Sequence, residues 1–324
     1  MAEKQGIRLL LVTGFLGSGK TSVINNMLDK CCDKTVGLIL NDFGSIAVDG
    51  ALVEQSGKIV ATKSLSGGQI FCSCLSGSFV ESVVAMAKFD VDIIVVEASG
   101  LAKPAPLLEI VSIIQNQTEH RVVYGGMLCV IDAERFELLS CALKTLEEQV
   151  VFSDWFLLNK VDLVDDKTCE RIKQKIASLR PLAPISMTSY GNVDDRLLPL
   201  LLDGPLEVAP KTVDPDQYSG WGLHGRPKTC VFIPQAGYDQ ESLKHFLAKV
   251  SSHLLRMKGF LPISEERVLL VDAVGNHVSF SERANPESFE PGIVCIHAAD
   301  FDAVSMMKST WALLSGTPMT CEPF

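Results

Sequence analysis

The sequence predicts an α/β fold in which a domain with a mostly parallel sheet is followed by a smaller α+β domain. From residue 7 to about residue 203, short apolar runs alternate with helix-forming stretches. Residues 204–227 are rich in Pro, Gly and Asp and have no periodicity, which is typical of a linker. A second set of strand-like and helical stretches follows it. We therefore expect domains at residues 1–203 and 228–324, joined by this linker.

The alternation in the first domain is typical of parallel strands with helices on both faces of the sheet. Its strand-like runs are apolar, as buried strands are: IRLLLVT, TVGLIL, DIIVVEA, GGMLCVIDA and WFLLNK. The helical stretches between them are TSVINNML, SFVESVVAMAKF and PLLEIVSIIQ. Cys129 and Cys295 lie within strand patterns, so we expect both thiols in the core.

The second domain begins with a strand, TCVFIP, and an amphipathic helix, ESLKHFLAKVSSHLL. Several short strands and a last helix, FDAVSMMKSTWALL, complete it. It contains no catalytic constellation of its own, so we expect it to recognise a partner protein.

Composition excludes several classes of protein. The 324 residues are 47% apolar and 21% charged, which predicts a globular chain. A formal net charge of −10 argues against nucleic-acid binding, which needs a basic patch. The longest apolar runs fall far short of the roughly 20 residues that span a bilayer, so we expect no membrane segment. The N-terminus is not typical of a signal peptide, and we expect a cytoplasmic protein with reduced thiols.

The stretch LLLVTGFLGSGKTSVINNML reads strand, loop and helix, and its loop matches the phosphate-binding pattern G-x-x-x-x-G-K-[ST]. Glycines let successive backbone N–H groups point at phosphate oxygens, and the following helix adds its positive end. Lys20 would contact the β- and γ-phosphates, and the Thr21 hydroxyl would bind Mg²⁺. The residues predicted to bind nucleotide here are Gly14, Gly17, Ser18, Gly19, Lys20, Thr21 and Ser22.

The stretch DWFLLNKVDLVDD places N-K-x-D directly after an apolar strand. The Asp162 carboxylate can accept hydrogen bonds from two guanine donors, a pair that adenine lacks, so the motif predicts GTP. Asn159 would brace the loop, and the stem of Lys160 would lie on the ring face. The later stretch PISMTSYGNVDD would form a second loop on the base side, with residues 186–189 near the ring.

The stretch DIIVVEASGLAKP is a further buried strand that ends in an acid, Glu97. A carboxylate at such a strand end holds Mg²⁺ through water in many nucleotide hydrolases, and a glycine shortly after it donates its N–H to the γ-phosphate. We therefore predict catalytic roles for Glu97 and Gly100, together with Lys20 and Thr21. The alternative is an acid that only caps the next helix.

Cys72 and Cys74 lie one residue apart in a segment rich in Gly and Ser, LSGGQIFCSCLSGSF. The spacing alone leaves three interpretations open, namely metal ligands, buried packing and a redox pair. A C-x-C disulfide would close a small strained ring, which disfavours the redox pair.

These motifs, in this order, resemble the CobW-type metallochaperone GTPases, whose relatives mature urease and hydrogenase. The resembling stretches are GFLGSGKTS, LNDFGSIAVDG, the cysteine loop, VVEASGLAKP, VIDAERF, LLNKVDLVD and APISMTSYGNVD. In the second domain, SSHLLRMKGFL and LLVDAVGNHVSF are similar to that family's C-terminal domain. The resemblance covers roughly residues 7–317.

The resemblance implies a GTPase that binds a transition metal, Zn²⁺ or Co²⁺, and delivers it to a client protein or a cobalamin-related pathway. It also implies metal ligation by Cys72 and Cys74, joined by an acidic residue at the position of Asp42. The family's cysteine loop reads C-x-C-C, whereas this chain has Leu75 in place of the last cysteine. Two thiolates and a carboxylate would still suit zinc or cobalt with water as a fourth ligand.

Three functional hypotheses remain open on this basis. The chain is a slow GTPase gated by metal and client, a GTP-dependent metal carrier in which hydrolysis only resets a switch, or a partner-remodelling switch whose metal site has degraded at Leu75. Whether the chain forms a homodimer is also left open.

Overall fold

The computed structural model describes residues 6–31, 33–41, 59–65, 76–142, 144–204, 228–235, 238–264, 266–284, 291–298, 300–315 and 317–323. The chain divides into two compact units, residues 1–220 and residues 221–324, and each has its own sheet. In the described part of the chain, no helix combines the length and the apolar character that crossing a membrane requires.

The strands of the first unit are β1 (Ile7–Thr13), β2 (Val36–Asn41), β3 (Ile59–Leu65), β4 (Ile93–Glu97), β5 (Val122–Asp132), β6 (Trp155–Asn159) and β7 (Ile185–Met187). They form one sheet in the order β3-β2-β4-β1-β5-β6-β7. Every pair of neighbours is parallel. The predicted α/β fold is confirmed, and the sheet is wholly parallel among the strands described.

The helices of this unit are α1 (Lys20–Lys30), α2 (Ser76–Met86), α3 (Pro104–Gln117), α4 (Phe136–Ala142), α5 (Lys144–Phe152), α6 (Asp166–Leu179) and α7 (Leu197–Asp203). They cover both faces of the sheet, because alternate residues of β1 lie in two separate apolar clusters. Leu9 and Leu11 pack with α2 and α3. Leu10 and Val12 pack with α1 and α7. All seven residues of β1 are buried, which explains why five of the seven are apolar.

The parallel arrangement brings the carboxyl ends of β1, β4, β5 and β6 to one edge of the sheet. Val12 at the end of β1 is in register with Glu97 at the end of β4. Asp132 at the end of β5 is in register with Asn159 at the end of β6. The residues predicted from the phosphate-loop pattern and from N-K-x-D thus lie at or just after the carboxyl ends of strands, where open parallel sheets bind ligands.

Two strands of this sheet were not predicted. β3 has the sequence IVATKSL, which mixes apolar and polar residues and lies at one edge of the sheet. β7 has only three residues, ISM, at the opposite edge, within the stretch interpreted as a loop on the base side. Edge strands commonly carry polar and charged side chains, because such residues discourage pairing with a strand of another chain.

The second unit is built on an antiparallel sheet with the order β11-β10-β9-β12-β8-β13. Its elements are β8 (Lys228–Pro234), α8 (Gln240–Ser251), β9 (Arg256–Pro262), β10 (Arg267–Val274), β11 (His277–Ala284), β12 (Gly292–His297), α9 (Ala303–Leu314) and β13 (Met319–Pro323). Both helices share one core with the sheet, centred on Phe232, Phe246 and Trp311, whose ring centroids lie 4.9–5.3 Å apart. The predicted α+β domain is confirmed, and Cys129 and Cys295 are buried as expected.

Candidate nucleotide-binding site

The loop between β1 and α1 adopts a conformation that its glycines permit. Gly14, Gly17 and Gly19 have φ angles of 139°, 75° and 98°, which residues with a β-carbon rarely adopt. Space is also lacking, because a β-carbon on Gly14 would lie 2.2 Å from the Val130 carbonyl oxygen. A β-carbon on Gly19 would lie 2.4 Å from the Asn159 amide nitrogen. The neighbouring strands thus fix the path of the loop.

Lys20 begins α1 and turns its side chain back onto this loop. Its Nζ donates hydrogen bonds to the carbonyl oxygens of Gly14 at 2.9 Å and Phe15 at 3.2 Å. The residue is only 5% exposed. A buried ammonium inside a loop of backbone amides, at the positive end of a helix, forms a strongly positive site that suits phosphate.

Thr21 and Glu97 meet at the carboxyl ends of β1 and β4. The Thr21 hydroxyl donates to the Glu97 carboxylate, with Oγ1 3.1 Å from both Oε1 and Oε2. Glu97 is 6% exposed. A hydroxyl and a carboxylate are hard oxygen donors of the kind that Mg²⁺ prefers, so these two residues fit that ion.

Gly100 lies against the phosphate loop three residues beyond Glu97. A β-carbon on Gly100 would lie 2.6 Å from the Leu16 backbone nitrogen. The buried amide of Gln149 in α5 donates to the carbonyl oxygens of Gly100 at 3.2 Å and Ala102 at 3.4 Å. Gln149 was not predicted, since no motif marks it, yet it orients the segment that follows β4.

Asn159 joins the phosphate loop to the loop that follows β7. Its Nδ2 donates to the Ser18 carbonyl oxygen at 2.9 Å, and its Oδ1 accepts from the Gly191 N–H at 3.0 Å. Asn159 is 2% exposed, so both bonds are shielded from water. Asn159 thus connects the phosphate loop to the loop after β7.

Lys160 follows in a left-handed conformation, with φ 62° and ψ 35°. Its Nζ forms a 2.6 Å ion pair with Asp132 Oδ2 at the end of β5. Asp132 is 6% exposed, and its Oδ1 accepts from the Glu134 N–H. Sequence reasoning missed Asp132, although GGMLCVIDA, like DIIVVEA, is an apolar strand that ends in an acid. Asp162 lies exposed in a short 3-10 helix, Val161–Leu163.

The predicted base-side loop is tied to this segment by its backbone. The Thr188 N–H donates to the Leu158 carbonyl oxygen at 2.8 Å, and the Val161 N–H donates to the Thr188 carbonyl oxygen at 3.2 Å. Within the loop, the Asn192 N–H donates to the Ser189 carbonyl oxygen. Ser186, which was expected near the ring, lies in β7. The pKa of Asp194 is lowered, first by the Leu197 backbone N–H, which donates to Asp194 Oδ1 at 2.7 Å, and to a smaller extent by Ser186, against the effect of burial.

Helix α1 holds the far side of the same loop. Asn26 Oδ1 accepts from the Val193 N–H at 2.8 Å, and Lys30 Nζ donates to Asn192 Oδ1 at 2.8 Å. A β-carbon on Gly191 would lie 2.9 Å from the Val23 backbone nitrogen. The loop after β7 is therefore fixed both to the N-K-x-D segment and to α1, the helix that follows the phosphate loop.

Residues 8–187 match the family described as CobW/HypB/UreG, nucleotide-binding domain. The chain belongs to this family. Residues 228–309 match the cobalamin synthesis protein CobW C-terminal domain. The resemblance stated from the sequence motifs is confirmed, and the first unit of this CobW/HypB/UreG protein carries a nucleotide-binding domain.

Relatives in this family span bacteria and yeast. The chain is 24% identical over 352 residues to the zinc chaperone CobW of Sinorhizobium sp, covering 97% of this chain and 99% of the relative. It is 28% identical over 202 residues to the zinc chaperone YjiA of Escherichia coli (strain K12), covering 59% and 60%. It is 26% identical over 217 residues to zinc-regulated GTPase metalloprotein activator 1 of Saccharomyces cerevisiae, covering 59% and 50%.

The transition-metal ligands predicted for this CobW/HypB/UreG chain, Asp42, Cys72 and Cys74, lie outside the described residues, as does Leu75. Among the residues that the structure does describe, no group of three or more His, Cys, Asp or Glu is placed to hold a metal ion. Cys129 lies beneath the phosphate loop, and burial raises its pKa to about 12 despite a hydrogen bond from Ser153 and the nearby Lys20 charge. Its thiol therefore stays neutral and packs as a small apolar group.

Proposed function

We propose that the chain binds and slowly hydrolyses GTP and uses that cycle to carry a transition metal to a client protein. The observation that carries this proposal is the position of Asn159, whose single amide holds the phosphate loop and the base-side loop together. A phosphate site and a guanine-selective motif thus belong to one nucleotide site. We further propose domains at residues 1–203 and 228–324 with a linker at 204–227, and a cytoplasmic location; dimerisation stays open.

On the phosphate side, the loop amides and the Lys20 ammonium would stabilise negative charge on the β- and γ-phosphates. Thr21 and Glu97 would hold Mg²⁺, which neutralises charge on the phosphate oxygens when it is bound. The Gly100 N–H would donate to the γ-phosphate, with Gln149 fixing the orientation of that segment from behind. These residues stabilise the transferring phosphoryl group, which is where phosphoryl transfer needs the protein most.

On the base side, Asp162 would accept hydrogen bonds from the two guanine donors, and the stem of Lys160 would lie against the ring. The Asp132 carboxylate holds the Lys160 ammonium, which fixes the direction of that stem. Asp162 is exposed and is therefore available to a ligand.

The metal is the cargo in this proposal. Cys72 and Cys74 would supply two thiolates and Asp42 a carboxylate, a ligand set that suits Zn²⁺ or Co²⁺. Relatives named zinc chaperones support zinc as the cargo. The C-terminal domain would recognise the client metalloprotein. Leu75 favours a second candidate, a GTP-dependent switch that remodels a partner and whose metal site has degraded.

Base selection is tested with the Asp162→Asn variant. The substitution weakens GTP binding by about 2–3 kcal/mol, because the Asn amide oxygen still accepts from one guanine donor while its NH2 group faces the other, and preference shifts towards the xanthine nucleotide, which has an acceptor there. Titrations of wild type and variant with GTP, XTP and ATP measure both effects. Asp166→Asn, a nearby exposed carboxylate in the first turn of α6, is the matched control and keeps wild-type affinities. Unchanged GTP affinity in Asp162→Asn would show that the motif does not read the base.

Metal binding is tested by titrating reduced protein with Co²⁺ and following thiolate-to-cobalt charge-transfer absorption. We expect about one ion per chain in wild type, with release of protons as the thiolates form. The double variant Cys72→Ser/Cys74→Ser loses the absorption, whereas Cys169→Ser, a buried thiol in α6, retains it. Absence of the absorption in wild type would favour the switch without a metal.

A further inference from the structure

Five residues other than glycine have positive φ angles in the described part of the chain: Glu119, His120, Lys160, Leu182 and Tyr190. Glu119 and His120 directly follow the end of helix α3, and their backbone N–H groups donate to the carbonyl oxygens of Asn116 and Gln115 in its last turn. Leu182 lies in the turn between α6 and β7. A left-handed residue is ordinary at such helix ends. Only Lys160 and Tyr190 follow a strand, and both lie beside the proposed base site.

Tyr190 adopts this conformation in a loop that is held on both sides. Its neighbours Thr188 and Gly191 are bonded to Val161 and Asn159 of the N-K-x-D segment. Its own φ is 58°, a conformation in which a bulky side chain is strained and glycine is not. A strained residue that persists in a fixed loop points to a function for its side chain.

The side chain itself contributes little to the packing of the fold. Tyr190 is 86% exposed, which is unusual for a large aromatic ring beside a binding site. Aromatic rings that protrude from a fixed loop next to a nucleobase stack on it, because every base has a π face. The phenol ring is rigid, so little conformational freedom is lost when the base covers it.

We propose that Tyr190 is a positioning residue that stacks on the guanine ring, so that the base lies between this ring and the alkyl stem of Lys160. The inference rests on the proposed binding of guanine nucleotides. Asp162 selects the base through its hydrogen bonds, whereas Tyr190 adds affinity without selectivity. Because the contact is to the base, it contributes equally to GTP and GDP binding.

Leu182 offers a matched control for this proposal. It is also apolar, fully exposed at 100% and left-handed, with φ 67°. It precedes β7, whereas Tyr190 follows that strand, so Leu182 lies at the end of the sheet away from the site. The variants Tyr190→Gly and Leu182→Gly therefore relieve the same backbone strain and remove similar exposed surface, and only one of them touches the base.

The experiment measures GDP and GTP affinity by calorimetry for full-length wild type, Tyr190→Gly, Tyr190→Phe and Leu182→Gly. Tyr190→Gly weakens both nucleotides by the same factor, about fivefold or more, because one stacking contact is lost. Tyr190→Phe and Leu182→Gly stay within about twofold of wild type on the same scale. In thermal unfolding without nucleotide, we expect both glycine variants to have a midpoint temperature equal to or above that of wild type. Unchanged stability together with weaker nucleotide binding shows that the side chain acts in binding and not in folding.

A spectroscopic test reports the contact directly. The Tyr190→Trp variant loses tryptophan emission when GDP binds, beyond any change in wild type with its three native tryptophans. Wild-type affinity in Tyr190→Gly, or an equal loss in Leu182→Gly, overturns the proposal. Wild-type protein that binds no GDP overturns the proposed function as well, so the two failures are distinguishable.

Discussion

The phosphate half and the base half of the site hold their side chains in different ways. Lys20 and Glu97 of the phosphate half are 5% and 6% exposed. Lys20 begins the helix that follows the central strand β1, and Glu97 ends the neighbouring strand β4. In the base half, Asp162 is exposed and Tyr190 is 86% exposed. Both lie in loops that follow β6 and β7, towards one edge of the sheet.

The difference follows from what each half must do. Groups that stabilise phosphate charge act best in a buried, low-dielectric position, where the sheet dictates their geometry. Groups that read a base have to stay accessible, and here backbone ties and the Asn159 amide supply the rigidity that burial supplies elsewhere. The buried groups of the phosphate half thus lie near the central strand of the sheet, and the exposed groups of the base half lie towards the edge strand β7.

We expect the largest effect on GTP hydrolysis from a substitution in the phosphate half alone. Lys20→Ala removes the cation beside the phosphates and lowers GTP hydrolysis by about 10²-fold or more, which takes slow phosphate release to background. Phosphate release with Mg²⁺ present measures this. Lys34→Ala is the control, because its ammonium pairs with Asp203 at 2.6 Å and takes no part in the site. Wild-type hydrolysis in Lys20→Ala would contradict the assigned role.

Asn159→Ala removes the link between the halves. It leaves the Ser18 carbonyl and the Gly191 N–H without their amide partner, which costs about 2–3 kcal/mol of the free energy of unfolding. We expect GDP affinity to fall about tenfold or more. Asn192→Ala, whose amide accepts only an exposed bond from Lys30, is the matched control with little effect. Urea unfolding measures the free energy of unfolding, and GDP titration measures the affinity. A loss of base selectivity with phosphate binding intact would mean that the two halves are independent.

The smallest effect concerns the base half alone. Asp132→Asn removes the charge that holds Lys160, and for a partly exposed pair we expect a loss of about 1 kcal/mol in GDP binding, or roughly fivefold in Kd. Glu137→Gln breaks an exposed ion pair with Arg171 and serves as the control. The comparison is made at equal ionic strength, since salt screens both pairs. An equal change in the two variants would remove Asp132 from the site.

Elements with a strong local pattern could be predicted from the sequence. Apolar runs in the sequence predict strands β1, β4, β5 and β6. The glycine loop after β1 indicates that a ligand binds at the carboxyl ends of these strands. β7 could not be predicted, because three residues carry no period. β3 could not either, because its residues IVATKSL lack the apolar character of a central strand.

Contacts between residues that lie far apart in the sequence could not be predicted either. N-K-x-D predicts that Asn159 braces a loop, but its partners Ser18 and Gly191 lie 141 and 32 residues away in sequence. The partner of Lys160, Asp132, lies 28 residues away, and neither the phosphate-loop pattern nor N-K-x-D includes it. The left-handed backbone of Tyr190 is set by the ties around it, which no local propensity encodes.

The central place of β1 has a consequence for synthesis. Among the seven strands β1 emerges first, yet its two neighbours end at Glu97 and Asp132. At ~5–20 residues per second, the chain needs roughly 6–24 s to extend from β1 to the end of β5. Until Glu97 has been made, the run IRLLLVT lacks both partner strands, and until Asp132 has been made it still lacks one, so it is an aggregation-prone segment in the nascent chain. The strand that precedes the phosphate loop thus pairs with both of its neighbours late in synthesis. The nucleotide site therefore forms only when most of its unit has been made.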